Sequence, residues 1–251
     1  MELKVIASGS SGNCYLLTEN GKTLILDVGI PFKRIKLALG YDLTQVDGVL
    51  CSHEHFDHAQ AVKDIIRAGI PIYLSDGTAR ALTGSQPHCA ADLGPSGNIL
   101  MGDWTIRPFS VEHDALDPVG FIIVYKYVPE APRTVYITDT GYTKYLPFRP
   151  TNLIIECSYC EDILERNQFN MGERYLRMKM HHFGLNRVKT FLELLDRREL
   201  KTIVLVHLSA TNSDVPRMIR EVQDVTGRIP AVFVARPGDI IDLSGGTYEH
   251  E

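Results

Sequence analysis

The sequence predicts a mixed α/β (α+β) fold in which two β-sheets pack together with helices outside. Three observations carry that expectation. Short apolar or alternating runs separated by polar turns fill the first half of the chain; strands and helical patterns alternate from Leu153 onward; and the composition, 44% hydrophobic and 23% charged over 251 residues, is that of an ordinary globular domain. At roughly 100 to 200 residues per domain, this length allows one large domain or two small ones. No internal repeat, low-complexity tract or Pro-rich linker divides it, so residues 1–251 are expected to form a single domain. Other mixed folds share this pattern, and periodicity alone does not choose among them.

The runs Leu3 to Ala7, Tyr15 to Thr18 and Leu24 to Val28 read as consecutive strands, with Asn20-Gly21 the strongest hairpin turn between two of them. Val46 to Ser52 reads as a buried strand, and the apolar spacing of Ala59, Val62, Ile65 and Ile66 as a helix running to Arg67 and closed by Gly69. Strands follow at Ile70 to Leu74, Ile99 to Met101, Thr105 to Val111, Val119 to Val128, Thr134 to Thr138 and Leu153 to Glu156. The segment Tyr159 to Met180 reads as irregular, the stretch on which a homodimer contact with a second subunit is expected. A helix from Leu185 to Leu195, a strand from Thr202 to His207, a helix from Val215 to Val225 and a strand from Val232 to Ala235 complete the chain; Asp214 is the expected N-cap of the last helix, and Pro216 suits its first turn.

Thirty-one acidic against 26 basic side chains leave a net charge of −5, which disfavours a protein that coats nucleic acid through bulk positive charge. The N-terminal apolar run is too short for a signal peptide and no stretch nears the ~18 apolar residues of a membrane helix, so a cytoplasmic protein without a membrane partner is expected. Five scattered cysteines read as free thiols; Cys157 and Cys160 match C-x-x-C but lack the second pair a zinc ribbon needs, and are assigned no function.

The sharpest feature is Ser52-His53-Glu54-His55-Phe56-Asp57-His58, which puts four metal-ligand side chains, H-x-H-x-D-H, between an apolar strand and a helix. In an extended loop His53, His55 and Asp57 would project to one side, and neutral imidazole with carboxylate suits zinc or another first-row divalent ion. The motif resembles the signature of the metallo-β-lactamase superfamily, in which it is followed by an isolated His, an Asp and a final His at strand ends. Here His113, Asp139 and His207 each stand where an apolar run gives way to a loop. The resemblance implies an αββα metallo-β-lactamase sandwich. It further implies that His53, His55 and His113 hold one metal ion, that Asp57, His58 and His207 hold a second, and that Asp139 bridges them. Two divalent ions, zinc or in its place manganese, would polarise water and a substrate oxygen together, which makes hydrolysis the expected chemistry.

Within that superfamily, a His at position 58 and a bridging Asp are typical of phosphodiester and thioester hydrolases, whereas lactamases proper carry Cys or Asn. Flavodiiron reductases have Glu where this chain has His55, and glyoxalase II carries a C-terminal helical extension with no counterpart after His207. The segments Ala7 to Cys14, His113-Asp114-Ala115, Thr138 to Tyr142 and His207-Leu208-Ser209 are similar to the YycJ/WalJ-like branch, related to tRNase Z, which includes exonucleases acting on DNA 5′ ends. Phage anti-Pycsar phosphodiesterases, which degrade cyclic mononucleotides, are similar in scaffold and metal set. Glu156-Cys157-Ser158-Tyr159 and His181-His182-Phe183-Gly184 depart from the branch's Glu-Ser-Asn-His and Gly-His-Leu-Ser.

A metal-dependent phosphodiesterase acting on a cyclic nucleotide monophosphate is therefore the expected function; an exonuclease on single strands is the alternative, and a non-catalytic metal-binding module a third. His182 stands where related families place a His that touches phosphate or protonates the leaving oxygen, so His182 and Asp57 are the candidate catalytic residues; a helix-start His181-His182 pair without chemistry is the bland alternative. Ser10, Asn13, Glu156 and Tyr159 are the candidate substrate-binding residues, the first two on a loop whose N–H groups and hydroxyls suit a phosphate; Glu156 is also a candidate to orient His182, with an ordinary paired carboxylate the alternative. Arg166, Arg174, Arg177, Lys179, Arg187 and Lys189 concentrate positive charge between Asn152 and Thr190, suited to a phosphate or to solvated helix faces.

Overall fold

Period-two alternation along the strands decides the layers. A computed structural model describes residues 1–93, 97–126, 131–227, 229–245 and 248–250. The first sheet opens with β1 (Glu2–Ala7), β2 (Cys14–Glu19) and β3 (Lys22–Leu26), joined between β2 and β3 by the expected Asn20-Gly21 turn, whose φ values of 48° and 73° suit a two-residue hairpin. Helix α1 (Phe32–Ala38), β4 (Val46–Leu50), α2 (Phe56–Ala59), α3 (Val62–Arg67), β5 (Ile72–Tyr73) and α4 (Asp76–Thr83) follow. The second sheet takes β6 (Asp92–Leu93), β7 (Ile99–Met101), β8 (Trp104–Ser110), β9 (Val119–Tyr125), β10 (Thr134–Ile137) and β11 (Asn152–Glu156). After these come α5 (Glu161–Met171), α6 (Glu173–His181), α7 (Leu185–Leu194), β12 (Thr202–Val206), α8 (Val215–Thr226), β13 (Ala231–Val234), β14 (Asp239–Asp242) and β15 (Tyr248–His250).

The sheets run β15-β14-β1-β2-β3-β4-β5 and β13-β12-β11-β10-β9-β8-β7-β6. Alternate residues of one strand go to different layers. Leu24 and Leu26 face Tyr136, Ile154, Val204 and Trp104 in the core between the sheets, whereas Ile25 packs outward with Ile35 and Ile65 of the helices. On the far side Leu153, Ile155, Ile203 and Leu205 meet Val188 and Phe191 of α7 and Met218 and Val222 of α8. The order of layers is thus helix, sheet, sheet, helix, as the motifs implied.

Pairing of β3 with β4 is parallel, as is that of β10, β11 and β12. Because β8 and β10 both run antiparallel to β9, their C-terminal ends share one edge with β11 and β12. The loops leaving β3, β4, β8, β10 and β12 therefore open along one rim, the edge where ligands bind in sheets of this kind.

Three expectations are corrected. The helix expected from Ala59 to Arg67 is two, because the Ala61 N–H leaves the helical ladder and donates to the Val28 carbonyl at 2.9 Å. Tyr159 to Met180 is not irregular: it holds α5 and α6, separated at Gly172, which has φ 55°. The strand expected to reach Val128 ends at Tyr125, and Val128 lies outside the described residues. Asp214 caps α8 as expected, accepting from the Arg217 N–H, with Pro216 in the first turn. No described helix is long and apolar enough to cross a membrane. All five cysteines are free.

Candidate metal centre

A turn of helix, and not a uniformly extended loop, divides the H-x-H-x-D-H motif. His55 is extended (φ −60°, ψ 146°) and precedes α2, while Asp57 and His58 lie inside its single turn. His53 and His55 are thereby sent one way and Asp57 and His58 the other. The turn fits against β3 only because residue 29 is glycine: a Cβ there would lie 1.7 Å from the Asp57 carbonyl oxygen. Hydrogen bonds from the Asn13 N–H to the Asp57 carbonyl and from the Val28 N–H to the His58 carbonyl, both 2.8 Å, pin it.

His53, His55 and His113 form the first ligand set. His55 Nδ1 lies 3.0 Å from His53 Nε2 and 3.2 Å from His113 Nε2. The Nδ1 of His113 donates to the His181 carbonyl at 2.9 Å, which leaves a lone pair on Nε2. Burial, with repulsion from neighbouring imidazoles, holds His53 well below the ordinary histidine range, and His113 is lowered too, chiefly by burial. The close approaches of the three ring nitrogens are ones that an imidazole N–H or a shared cation would bridge. Zinc with bonds of 2.0–2.1 Å in a tetrahedron sets its nitrogen ligands about 3.3 Å apart, close to the spacing here.

Asp57, His58, Asp139 and His207 form the second set. His58 Nε2 is 3.6 Å from Asp57 Oδ2 and 3.3 Å from Asp139 Oδ1, and His207 Nε2 is 3.5 Å from Asp57 Oδ2. That His207 nitrogen is buried without a hydrogen-bond partner among the described residues, the state expected of an atom reserved for a metal. Asp139 faces both sets: Oδ1 turns to His58, and Oδ2 lies 3.6 Å from His113 Nε2 and 3.9 Å from His53 Nε2. The clusters fit a site for two metal ions, with Asp139 between them.

Electrostatics differ from the first set. Burial pulls His207 down, yet Asp139, Asp57 and Glu156 outweigh it and push it up to about 10; His58 is raised against burial by Asp139 and Asp27. Asp139 is held well below the carboxylate range, since His207 and His58 overcome its burial. Protons on these imidazoles occupy the place a cation would take, and ligation releases them.

Sequence reasoning missed the residues that brace these ligands. Asp27, fully buried directly after β3, accepts at Oδ2 from Tyr136 Oη at 2.6 Å and Ser52 Oγ at 3.0 Å, and holds His58 Nδ1 at 2.7 Å. This leaves His58 Nε2 to ligate. Ser8 Oγ accepts from the His207 N–H at 3.0 Å, tying the first loop to the last ligand. Asp27 lies inside an apolar run, and like Asp139 and His207 it has positive φ, the three at 55°, 39° and 54°.

Glu156 and His182 complete the centre. Glu156 Oε1 lies 2.6 Å from His182 Nδ1 and 3.1 Å from His207 Nδ1, while Oε2 accepts from the Thr140 and Phe183 N–H groups. His182 follows the end of α6, so the pair His181-His182 does not start a helix. Burial lowers its pKa, and Glu156 raises it by more. The end of α6 reaches the site because residue 141 is glycine: a Cβ there would lie 1.8 Å from the Met180 carbonyl oxygen.

A cleft of about 610 Å³ opens on Asp57, Asp139, His182 and His207, walled by α5, α6 and residues 208–212. Of the four candidate substrate-binding residues only Ser10 lines it. Asn13 is fully buried, its amide spent on Gly9, Asp57 and His58. Glu156 is fully buried and holds histidines. Tyr159, only 2% exposed, lies under α6 with its hydroxyl 3.5 Å from the Lys179 carbonyl. Asn13 and Glu156 therefore hold histidines, Glu156 in the orienting role toward His182 that its place in the sequence also suggested, and Tyr159 packs.

Residues 7–141 match the family model of the metallo-beta-lactamase superfamily. The exodeoxyribonuclease WalJ of Streptococcus pneumoniae serotype 2 is 28% identical over 225 residues, 83% of this chain and 82% of the relative. The exodeoxyribonuclease YycJ of Bacillus anthracis is 30% identical over 154 residues, 57% of this chain and 55% of the relative. The metallo-beta-lactamase fold protein YhfI from Bacillus subtilis shares the fold, with a TM-score of 0.72 at 18% identity, covering 96% of this chain and 99% of that one.

Proposed function

Because this chain belongs to the metallo-beta-lactamase superfamily, we propose that it is a metal-dependent phosphodiesterase that removes nucleotides from an end of single-stranded DNA. The observation that carries this is two adjacent clusters of potential metal ligands, with Asp139 between them, beside a cleft lined by Asp57, Asp139, His207 and His182. We assign zinc to both sets, with manganese as its substitute, since imidazole nitrogen and carboxylate oxygen suit those ions. When bound, two such ions activate water and neutralise the charge that develops on phosphate.

The side chains divide the remaining work. His53, His55 and His113 would hold one ion and Asp57, His58 and His207 the other, with Asp139 a ligand available to both. Asp27 and Glu156 set which imidazole nitrogen is free to ligate in His58 and His207. Glu156 engages Nδ1 of His182 and favours its charged form, so Nε2 is the atom that delivers a proton to the departing oxygen.

The choice of a strand end over a cyclic mononucleotide is supported by the exodeoxyribonuclease relatives, one of them aligned over 83% of this chain. Part of the sequence-based preference for a cyclic nucleotide rested on Tyr159, which is buried away from the cleft. Zinc-loaded protein is expected to release nucleotides from 5′-phosphorylated single-stranded DNA faster than it opens any of a panel of cyclic nucleotides. Opening of cyclic nucleotides with strands left intact would overturn the strand-end reading; inertness toward both and toward bis(p-nitrophenyl) phosphate would overturn the phosphodiesterase itself.

A further inference from the structure

Six basic residues crowd the segment from Arg166 to Lys189, and the fold disposes of five of them. Arg166 pairs with Asp162, Arg177 with Asp114, Lys179 with Glu165 and Lys189 with Glu221. Arg187 donates to the His182 carbonyl at 3.3 Å. Arg174 alone of the six has neither an ion pair nor a hydrogen bond among the described residues, although it lies one turn before Arg177 on α6. It lines the cleft that Asp57 and His207 also line, together with Ser10, Ser209 and Thr211.

An exposed arginine gains from a neutralising partner on its own helix, as Arg166 does at i−4. Arg174 has none, and its guanidinium, permanently charged and forked, is the group best shaped for bidentate contact with phosphate oxygens. The acidic ligands do not satisfy it, since they turn to the metal positions.

We infer that Arg174 and the cleft hydroxyls form a subsite for a second phosphate, one nucleotide from the phosphodiester that is cleaved. The inference rests on the phosphodiesterase reading and deepens it, because it makes a chain with at least two phosphates the preferred substrate. A cyclic mononucleotide has one phosphate and leaves the subsite empty. The second phosphate has two sources, a terminal monoester or the next diester of a strand, and both present the same oxygens.

The test compares zinc-loaded protein on three probes: a thymidine dinucleotide with one phosphodiester, the same dinucleotide bearing a 5′-phosphate, and the trinucleotide with two phosphodiesters. Wild type is expected to favour at least one two-phosphate probe over the first by ~10-fold or more in kcat/KM. Whether the phosphorylated dinucleotide or the trinucleotide is favoured identifies the source. In Arg174→Ala and Arg174→Gln that ratio should fall toward one; Arg174→Lys should keep part of it, and Arg166→Ala all of it. The dependence of log(kcat/KM) on log[salt] for the favoured probe should lose about 0.7 in slope, the counterion released by one phosphate of a single strand. A ratio near one in wild type, or one unchanged in Arg174→Ala, overturns the subsite and leaves the phosphodiesterase standing. Failure of wild type to cleave any probe overturns both.

Discussion

The two ligand sets sit side by side yet follow opposite electrostatic plans. The first is three imidazoles, two of them half-buried, whose partners outside the set include a hydroxyl and a backbone carbonyl. Its buried His53 is pushed toward neutrality, ready to ligate without losing a proton. The second set mixes two imidazoles with carboxylates, and two more buried carboxylates, Asp27 and Glu156, stand behind it. Its histidines are pushed toward protonation. The second position thus concentrates negative charge inside the protein, which protons neutralise until a cation does. A metal ion entering there would displace protons that the first position does not hold at His53.

Asp139 is where the difference breaks down, because it serves both sets, and its loss carries the largest expected effect. Asp139→Ala should lower retained zinc below one ion per chain and cut turnover of bis(p-nitrophenyl) phosphate by about a thousand-fold or more, since each factor of ten corresponds to 1.36 kcal/mol and the metals supply several. Metal analysis of the purified variant beside its turnover checks this. Retention of two ions would show that Asp139 does not bridge.

A smaller effect sharpens the comparison from outside the ligands. Asp27→Asn removes the charge directly behind His58 and reaches the first set only at one remove, through the Ser52 hydroxyl that also lies 3.0 Å from His53 Nδ1. Its expected consequence is a loss of roughly 10- to 100-fold in affinity for one of the two ions, the usual cost of losing an outer partner of a ligating histidine. Competition with a coloured zinc chelator measures both affinities. Equal weakening of the two ions would mean that the sets are not independent.

How much of this was legible in sequence depends on which property each feature leaves in the chain. His53, His55, Asp57, His58, His113, Asp139 and His207 stood out as candidates because each interrupts or ends an apolar run with a side chain able to ligate metal, and the fold gathers them into clusters that could hold an ion. Asp27 leaves a weaker sign, because it lies inside the apolar run Leu24 to Val28 and outside any metal-ligand motif. Helix α6 was illegible for a different reason. It buries no residue, so its apolar side chains, among them the exposed Leu176 and Met180, mark no stripe that faces the core. It is held by the Arg177 pair with Asp114 and by its close approach at Gly141, contacts that no periodicity encodes. Helix α4 did carry signs, since Ser75 caps it by accepting from the Thr78 N–H and Gly84 ends it in the left-handed conformation. Those caps frame only eight residues, and the buried ones, Gly77, Thr78 and Ala79, include no large apolar side chain. Asn13 and Tyr159 failed as substrate contacts because sequence position near a site does not reveal which way a side chain is buried.

Tyr136 offers the finest cut, because it touches the second position only through Asp27. Its hydroxyl donates to Asp27 Oδ2 at 2.6 Å, both groups fully buried between the sheets. Tyr136→Phe leaves the ring in place and withdraws a single hydrogen bond to a charged acceptor, a loss of ~2 kcal/mol. For a chain of this size each kcal/mol moves Tm by roughly 2–4 °C, so the metal-free variant should melt about 4–8 °C below the parent. Ser52 Oγ, the Ser52 N–H and His58 still hold the carboxylate, so zinc affinity should change less than in Asp27→Asn. Calorimetry of the metal-free proteins and the chelator competition separate the two quantities. If Tyr136→Phe loses as much zinc affinity as Asp27→Asn while its Tm holds, then the hydroxyl sets the orientation of the carboxylate, and the charge behind His58 matters less than the hydrogen bond that aims it.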